Sequence, residues 1–207
     1  NRTWSNSVVD MQIQNGNYLM TYIQHNTKST NLTGRCWLSK GFYKQHFKTS
    51  CSISATYSNG EQYTAGNILR YQYRSLTFSP TLTYSPSWAF VTYNGDFALS
   101  KSTFNNASIS SRFNWKQSLT LTSTIQKVDL SLSGIYYHNQ LEGATLNTFI
   151  ADAKVTWRQK KFLVLATLAN LFNKRNYIET SYSGVGIFTN SYELRPRELI
   201  LTFEFRL

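Results

Sequence analysis

Few side chains in this sequence are equipped for chemistry. There are two cysteines, Cys36 and Cys51, and three histidines, His25, His46 and His138. The cysteines lie symmetrically about Tyr43-Lys44, where a tight turn is expected. In a regular hairpin centred there they would face one another. Opposed Cβ atoms about 4.5–5.5 Å apart sometimes close a cross-strand disulfide, and an oxidising compartment would allow it. The simpler alternative is two small apolar side chains on one strand face. No histidine shares that face at metal-ligand spacing. The histidines lie far apart and near predicted strand ends, as interfacial or loop residues do. No nucleophile motif, phosphate-binding loop or metal signature is present, so neither an enzyme nor a cofactor is expected. The triplets Asn31-Leu32-Thr33 and Asn106-Ala107-Ser108 match a glycosylation acceptor, which a Ser/Thr/Asn-rich chain produces by chance.

The remaining candidates are charges. Asp10, Asp96, Asp129, Asp152 and Glu204 can pair with Arg112, Lys116, Lys154, Arg158 and Arg206. The plainer account of this set is a hydrated, hydrogen-bonded wall, and the sharper one is a path for substrate. The formal net charge is +11. Lys and Arg are nonetheless scattered singly, without the dense cluster that follows a phosphate backbone, so nucleic acid is not an expected partner. Only 15% of residues are charged and another 15% are aromatic. That excludes disorder, which needs charge and few aromatics. It suits strands whose polar positions carry neutral hydroxyls and amides.

The elements that must position these residues are strands almost throughout, because the apolar period is two. At the C-terminus Leu199, Leu201, Phe203, Phe205 and Leu207 share a face, opposite Thr202, Glu204 and Arg206. The same alternation runs through Cys51, Ile53, Ala55 and Tyr57, through Leu76, Phe78, Pro80, Leu82 and Tyr84, and through Leu119 and Leu121. It recurs in Val128, Leu130 and Leu132, and in Phe149, Ala151, Ala153, Val155 and Trp157. Pro80 lacks a ladder donor, and a bulge is expected there. The stretch 162–172 is apolar on both faces, but its length and its β neighbours favour strand.

About eleven strands result, several of ten residues or more, which is long for a soluble sheet and right for a tilted membrane strand. The predicted connections are Asn15-Gly16, a strong hairpin signal, then 26–30, 41–44, 59–67, 85–87, 102–108, 125–127, 140–146, 159–161 and 173–193. Tight and longer connections alternate, as in an up-and-down barrel with turns at one rim and loops at the other. Lys40, Lys44, Lys127, Lys160 and Lys161 would sit at the turn rim. Trp88, Trp157, Tyr84 and Phe162 would form an aromatic girdle. The long loop, with Tyr177, Tyr182, Phe188 and Tyr192, is the expected place for external contacts. The expected fold is therefore all-β, an antiparallel up-and-down transmembrane β-barrel. No apolar run approaches a membrane helix and no signal peptide is read at Asn1-Arg2-Thr3-Trp4.

Asn170-Leu171-Phe172-Asn173-Lys174-Arg175-Asn176-Tyr177 resembles the penultimate-strand signature of TonB-dependent outer-membrane receptors. Thr180-Ser181-Tyr182-Ser183 and Leu194-Arg195-Pro196-Arg197 to Leu207 resemble the C-terminus of the Bacteroidetes branch. So do Ser39 to Lys44, Thr56 to Asn59 and Phe149 to Ala153, although the likeness is specific mainly in the last forty or so residues. A departure is Leu207, where the family commonly ends on an aromatic. The resemblance implies the C-terminal portion, residues 1–207, of a barrel of about twenty-two strands, without the plug domain and signal peptide. The implied function is the barrel wall of a nutrient transporter in the bacterial outer membrane. Its implied partners are outer-membrane lipid, the N-terminal plug and remaining barrel half, TonB through the plug, and the barrel assembly machinery reading the last strand. A surface lipoprotein lid is a further possibility. A self-contained small porin or adhesion barrel, and a soluble all-β binding module, are the alternatives.

Overall fold

A computed structural model describes residues 2–14, 17–64, 67–105, 107–108, 111–141, 144–182 and 187–205. Its strands are β1 (Arg2–Gln14), β2 (Asn17–Phe42), β3 (Phe47–Thr64), β4 (Asn67–Tyr84), β5 (Phe90–Phe104), β6 (Ala107–Ser108), β7 (Arg112–Ile125), β8 (Val128–Gln140), β9 (Thr145–Arg158), β10 (Phe162–Ala169), β11 (Asn176–Tyr182), β12 (Ile187–Glu193) and β13 (Glu198–Phe205). One 3-10 turn, Tyr43–Gln45, joins β2 to β3. Ten strands form one sheet in the order β1-β2-β3-β4-β5-β7-β8-β9-β10-β13, with β6 beside β5 and β11-β12 as a separate hairpin. Each strand in the order is antiparallel to the next. The chain is all-β, an up-and-down meander, as its period predicts.

Register sorts the side chains into two faces, because directly paired residues point the same way. Leu121, Leu132, Ala153, Leu168 and Leu199 form one row across five strands. Phe78, Phe97, Trp115 and His138 form another on the same face. On the opposite face Ser54, Thr77, Ala98 and Asn114 align, as do Asp96, Lys116, Tyr137 and Thr148. One face is therefore a greasy belt and the other is hydroxyl, amide and charge.

The belt is not covered. Leu38 is 63% exposed, Leu132 48% and Phe203 63%. Among the described residues the buried apolar side chains are Ala89, Ala151 and Tyr177, and no side chain is fully buried. Each large apolar side chain left in water forgoes about 1.5–3 kcal/mol of burial. An exposed apolar face of this extent marks a surface that meets a partner or a membrane.

The structure corrects several expectations. Residues 26–30 are not a connection: β2 runs through them without a break. Asn26-Thr27-Lys28-Ser29-Thr30 lacks apolar alternation and so looks like a loop. Ladder hydrogen bonds need no apolar side chains, and Lys28 pairs with Trp4 and Thr30 with Asn59. Among the described residues the meander thus runs through ten strands, and the β1-β2 hairpin belongs to the loop rim. Asn15-Gly16 itself lies outside the described residues, though Gln14 and Asn17 pair on either side of it. The stretch 59–67 is largely strand as well, with Asn59 still paired in both directions. Pro80 makes no bulge: Phe78↔Phe97 and Thr81↔Asn94 keep one register across it. Gly95 accommodates it, since a Cβ there would meet Pro80 Cγ at 3.1 Å and Phe97 Cε2 at 2.7 Å. The apolar 162–172 stretch is strand β10, which ends at Ala169.

The rim asymmetry survives in a different form. At one end the connections 43–46, 85–89, 126–127 and 159–161 are all short. At the other, the β1-β2 and β3-β4 pairs extend as long hairpins, and 170–197 carries its own two-stranded sheet.

Candidate functional site

The polar face gathers the expected charges. Register places Arg112, Lys116, Asp129, Asp152, Lys154, Arg158 and Glu204 on it together, while Arg206 and Leu207 lie outside the described residues. Of the possible pairings, Asp129 joins Arg158, with Oδ2 2.5 Å from Nη2. Thr124 also donates to Asp129 Oδ1 at 2.8 Å. Asp96 stands opposite Lys116 and accepts from the Ser79 hydroxyl at 3.0 Å. The Lys116 ammonium sits 5.1 Å from the Tyr137 ring centre. Arg112, at the start of β7, is buried.

Asp152 has a more specific task. Its Oδ1 accepts the backbone N–H of Asn170 at 2.7 Å. Asn170 follows β10 with φ 50°, in the left-handed region that Asn tolerates better than most residues. Its buried side chain makes three bonds. Nδ2 donates to the carbonyls of Lys174 and Arg195, both at 2.7 Å, and Oδ1 accepts from Lys174 N–H at 2.9 Å. Asn173, also at φ 50°, uses its side-chain oxygen to accept Arg197 N–H at 3.0 Å. The two asparagines tie the exit of β10 to the entry of β13. The role of these two asparagines as a fastener follows from these contacts. The sequence-level signal was two left-handed-tolerant asparagines spaced one tight turn apart.

The fastener launches the β11-β12 hairpin, which lies against β8. Asn139 Nδ2 donates to Ile178 O at 2.6 Å. Tyr177 packs on Tyr137 at 4.3 Å between ring centres and stacks on Tyr192 at 5.7 Å and 13°. A cleft of about 260 Å³ separates hairpin from wall, lined by Tyr73, Asp96, Asn114, Lys116, Tyr137 and Glu179 among others. Of the four loop aromatics, Tyr177 is buried and Tyr192 is exposed. The side chains of Tyr182 and Phe188 lie outside the described residues. The cleft combines stacking rings, amides and charge of both signs.

Burial, with a smaller effect from the neighbouring Tyr137 and Glu179, holds the Tyr177 phenol above its usual value near 10. The docked hairpin therefore keeps its proton after the undocked one has lost it. The resulting stabilisation is present in full below about pH 10 and is lost as pH rises above that. We expect the protection of amides across 176–182 and 187–193, corrected for their intrinsic hydroxide-catalysed exchange, to fall above about pH 10 in the wild type. In Tyr177→Phe that dependence should flatten.

Cys36 and Cys51 are free. A two-residue turn at Tyr43-Lys44 would have set them opposite one another. The actual connection holds four residues and closes with His46 at φ 53°, so Phe42 pairs with Phe47. That shifts the register by two: Cys36 faces Ile53, and Cys51 faces Leu38. The cysteines are diagonal neighbours on the belt face, at a Cα spacing of roughly 7–8 Å, beyond disulfide reach. Mild oxidation should leave both thiols titratable, whereas Leu38→Cys should cross-link to Cys51. A cross-link in the wild type would contradict this register.

The histidines stay apart. His25 lies near Tyr63, with ring centres 6.2 Å apart, and His46 closes the turn. His138 Nδ1 is 2.8 Å from Asn147 Oδ1. Among the described residues no three metal-ligating side chains cluster. Leu199, Leu201, Phe203 and Phe205 of the terminal strand line the belt, paired with β10.

No protein-family model, curated protein or solved structure matches the chain.

Proposed function

We propose that this chain is a stretch of wall from an outer-membrane β-barrel, specifically the barrel of a TonB-dependent nutrient transporter. The single observation that carries the reading is the uncovered apolar belt on one face of a ten-strand antiparallel meander, with a polar face behind it. Along β2 the belt runs from Leu32 to Phe42, and along β4 from Leu76 to Tyr84. Roughly ten residues of tilted strand match the roughly 25 Å apolar band of such barrels. Aromatic side chains edge it: Phe42 meets Phe47 and Trp157 meets Phe162 at the turn rim. Short turns at one rim and projecting hairpins at the other fit a periplasmic and an extracellular side. The narrower assignment to the TonB-dependent class rests on resemblance in residues 170–207.

In this reading the polar face lines the hydrated interior beside a plug supplied elsewhere in the protein. The belt meets lipid, the terminal strand is read by the assembly machinery, and energy arrives from TonB through the plug. A lipoprotein lid would meet the projecting hairpins.

Single-tryptophan variants in vesicles with brominated acyl chains test the membrane reading. Trp157 and Trp115 lie on the belt face, and Trp37, opposite Ser52, on the polar face. Bromine should quench Trp157 strongly and Trp37 little. A folded monomer in plain buffer that ignores vesicles would overturn the proposal.

A further inference from the structure

Above the belt at the hairpin rim, the belt face turns basic. Arg74 pairs with Lys101 directly across β4 and β5, one position beyond the apolar pair Leu76 and Leu99. Arg70 follows on the same face of β4. Lys28 of β2 and Arg2 of β1 share that face, since Arg2 pairs with Thr30, Thr30 with Asn59, and Glu61 with Arg70. A cleft of about 450 Å³ opens between them, lined by Arg2, Lys28, Thr30, Asn59, Glu61 and Arg70. Glu61 is the one carboxylate in that lining, and it holds Arg70 Nε at 3.1 Å.

Two features point outward to an anion. Like charges directly opposed on a sheet repel, and Arg74 against Lys101 is such a pair. The Arg74 guanidinium lies 5.6 Å from the Tyr57 ring centre and the Lys28 ammonium 4.8 Å from that of Trp4, so aromatic faces prop both cations beside the belt. Chemistry and height both matter. These cations sit on the face that meets lipid, at the level where acyl chains give way to headgroups, rather than on the polar face.

We propose that this basic rim binds the phosphate-bearing headgroup of a membrane lipid, whose acyl chains lie on the belt below it. The proposal rests on the membrane reading above. Arg2, Lys28 and Arg70 provide the cleft, and Arg74 and Lys101 the neighbouring charge. Phosphate between them relieves the Arg74–Lys101 repulsion and accepts forked hydrogen bonds from the arginines.

The test uses the protein reconstituted in vesicles of neutral phosphatidylcholine with a small fraction of a lipid carrying phosphate monoesters. Retention of that lipid through purification is read by mass spectrometry, for wild type and for the Lys28→Gln/Arg70→Gln/Arg74→Gln variant. We expect the wild type to retain it and the variant to lose retention by about tenfold or more, with strong salt dependence. Inorganic phosphate at millimolar concentration should not displace the lipid, because the free anion lacks the acyl chains that hold the headgroup at the level of the rim. Displacement would identify a free-phosphate site instead and overturn the proposal. Equal retention by wild type and variant, both inserted, would sink the headgroup site alone. Failure of both proteins to enter vesicles would sink the membrane reading itself.

Discussion

Replacing Asn170 by Ala is expected to release the 170–197 region and cost about 3 kcal/mol of local stability. The figure comes from its contacts. The side chain is buried and satisfies two carbonyls and one N–H within a single turn. Removing it leaves those backbone groups short of partners, at about 1–3 kcal/mol for each one left truly buried. Alanine also sits badly at φ 50°, adding about 1 kcal/mol. Asn170→Gly removes the second penalty but not the first and should therefore be milder. Asn170→Asp keeps an acceptor for Lys174 N–H but sets a carboxylate against the Lys174 and Arg195 carbonyls, so it should be no better than Ala. Amide exchange across 176–197 is the readout, with melting in detergent as a second. All three variants exchanging at the wild-type rate would show that the contacts around Asn170 do not hold the hairpin.

An arginine at the centre of the belt should be as damaging, for a reason that does not depend on local contacts. Leu132 lies between Leu121 and Ala153, well inside the apolar rows and 48% exposed. In water Leu132→Arg would be nearly neutral, or would improve solubility. At the middle of a bilayer it should cost about 2–4 kcal/mol. Thr120→Arg is the matched control: Thr120 is on the polar face, between Thr92 and Ser133. There the charge meets hydroxyls and water, and a cost under about 1 kcal/mol is expected. Unfolding in vesicles measures both. A similar penalty at the two sites, or none at Leu132, would mean that the belt does not face lipid.

The comparison with Cys36 and Cys51 shows why some features were readable and others were not. Which face each residue occupies follows from parity along a strand. Parity alone put Phe78 with Leu76 and Arg112 with Lys116 correctly. Which residue stands opposite which depends on the length of the turn. A four-residue connection with left-handed His46, in place of a two-residue one, moved Cys51 from Cys36 to Leu38. Continuity was misread for a related reason. Residues 26–30 carry no apolar pattern, yet their backbone is held by neighbours on both sides.

The sequence by itself determined that this protein is built from long two-faced strands, and which side chains lie on each face. Both follow from a period of two, which is local and needs no partner. The tertiary structure decided the number of wall strands, the cross-strand partners, the asparagine fastener after β10 and the gathering of Arg2, Lys28, Arg70, Arg74 and Lys101 at one rim. Each of these joins residues far apart in the chain, through turn lengths and ladder registers that no local pattern encodes.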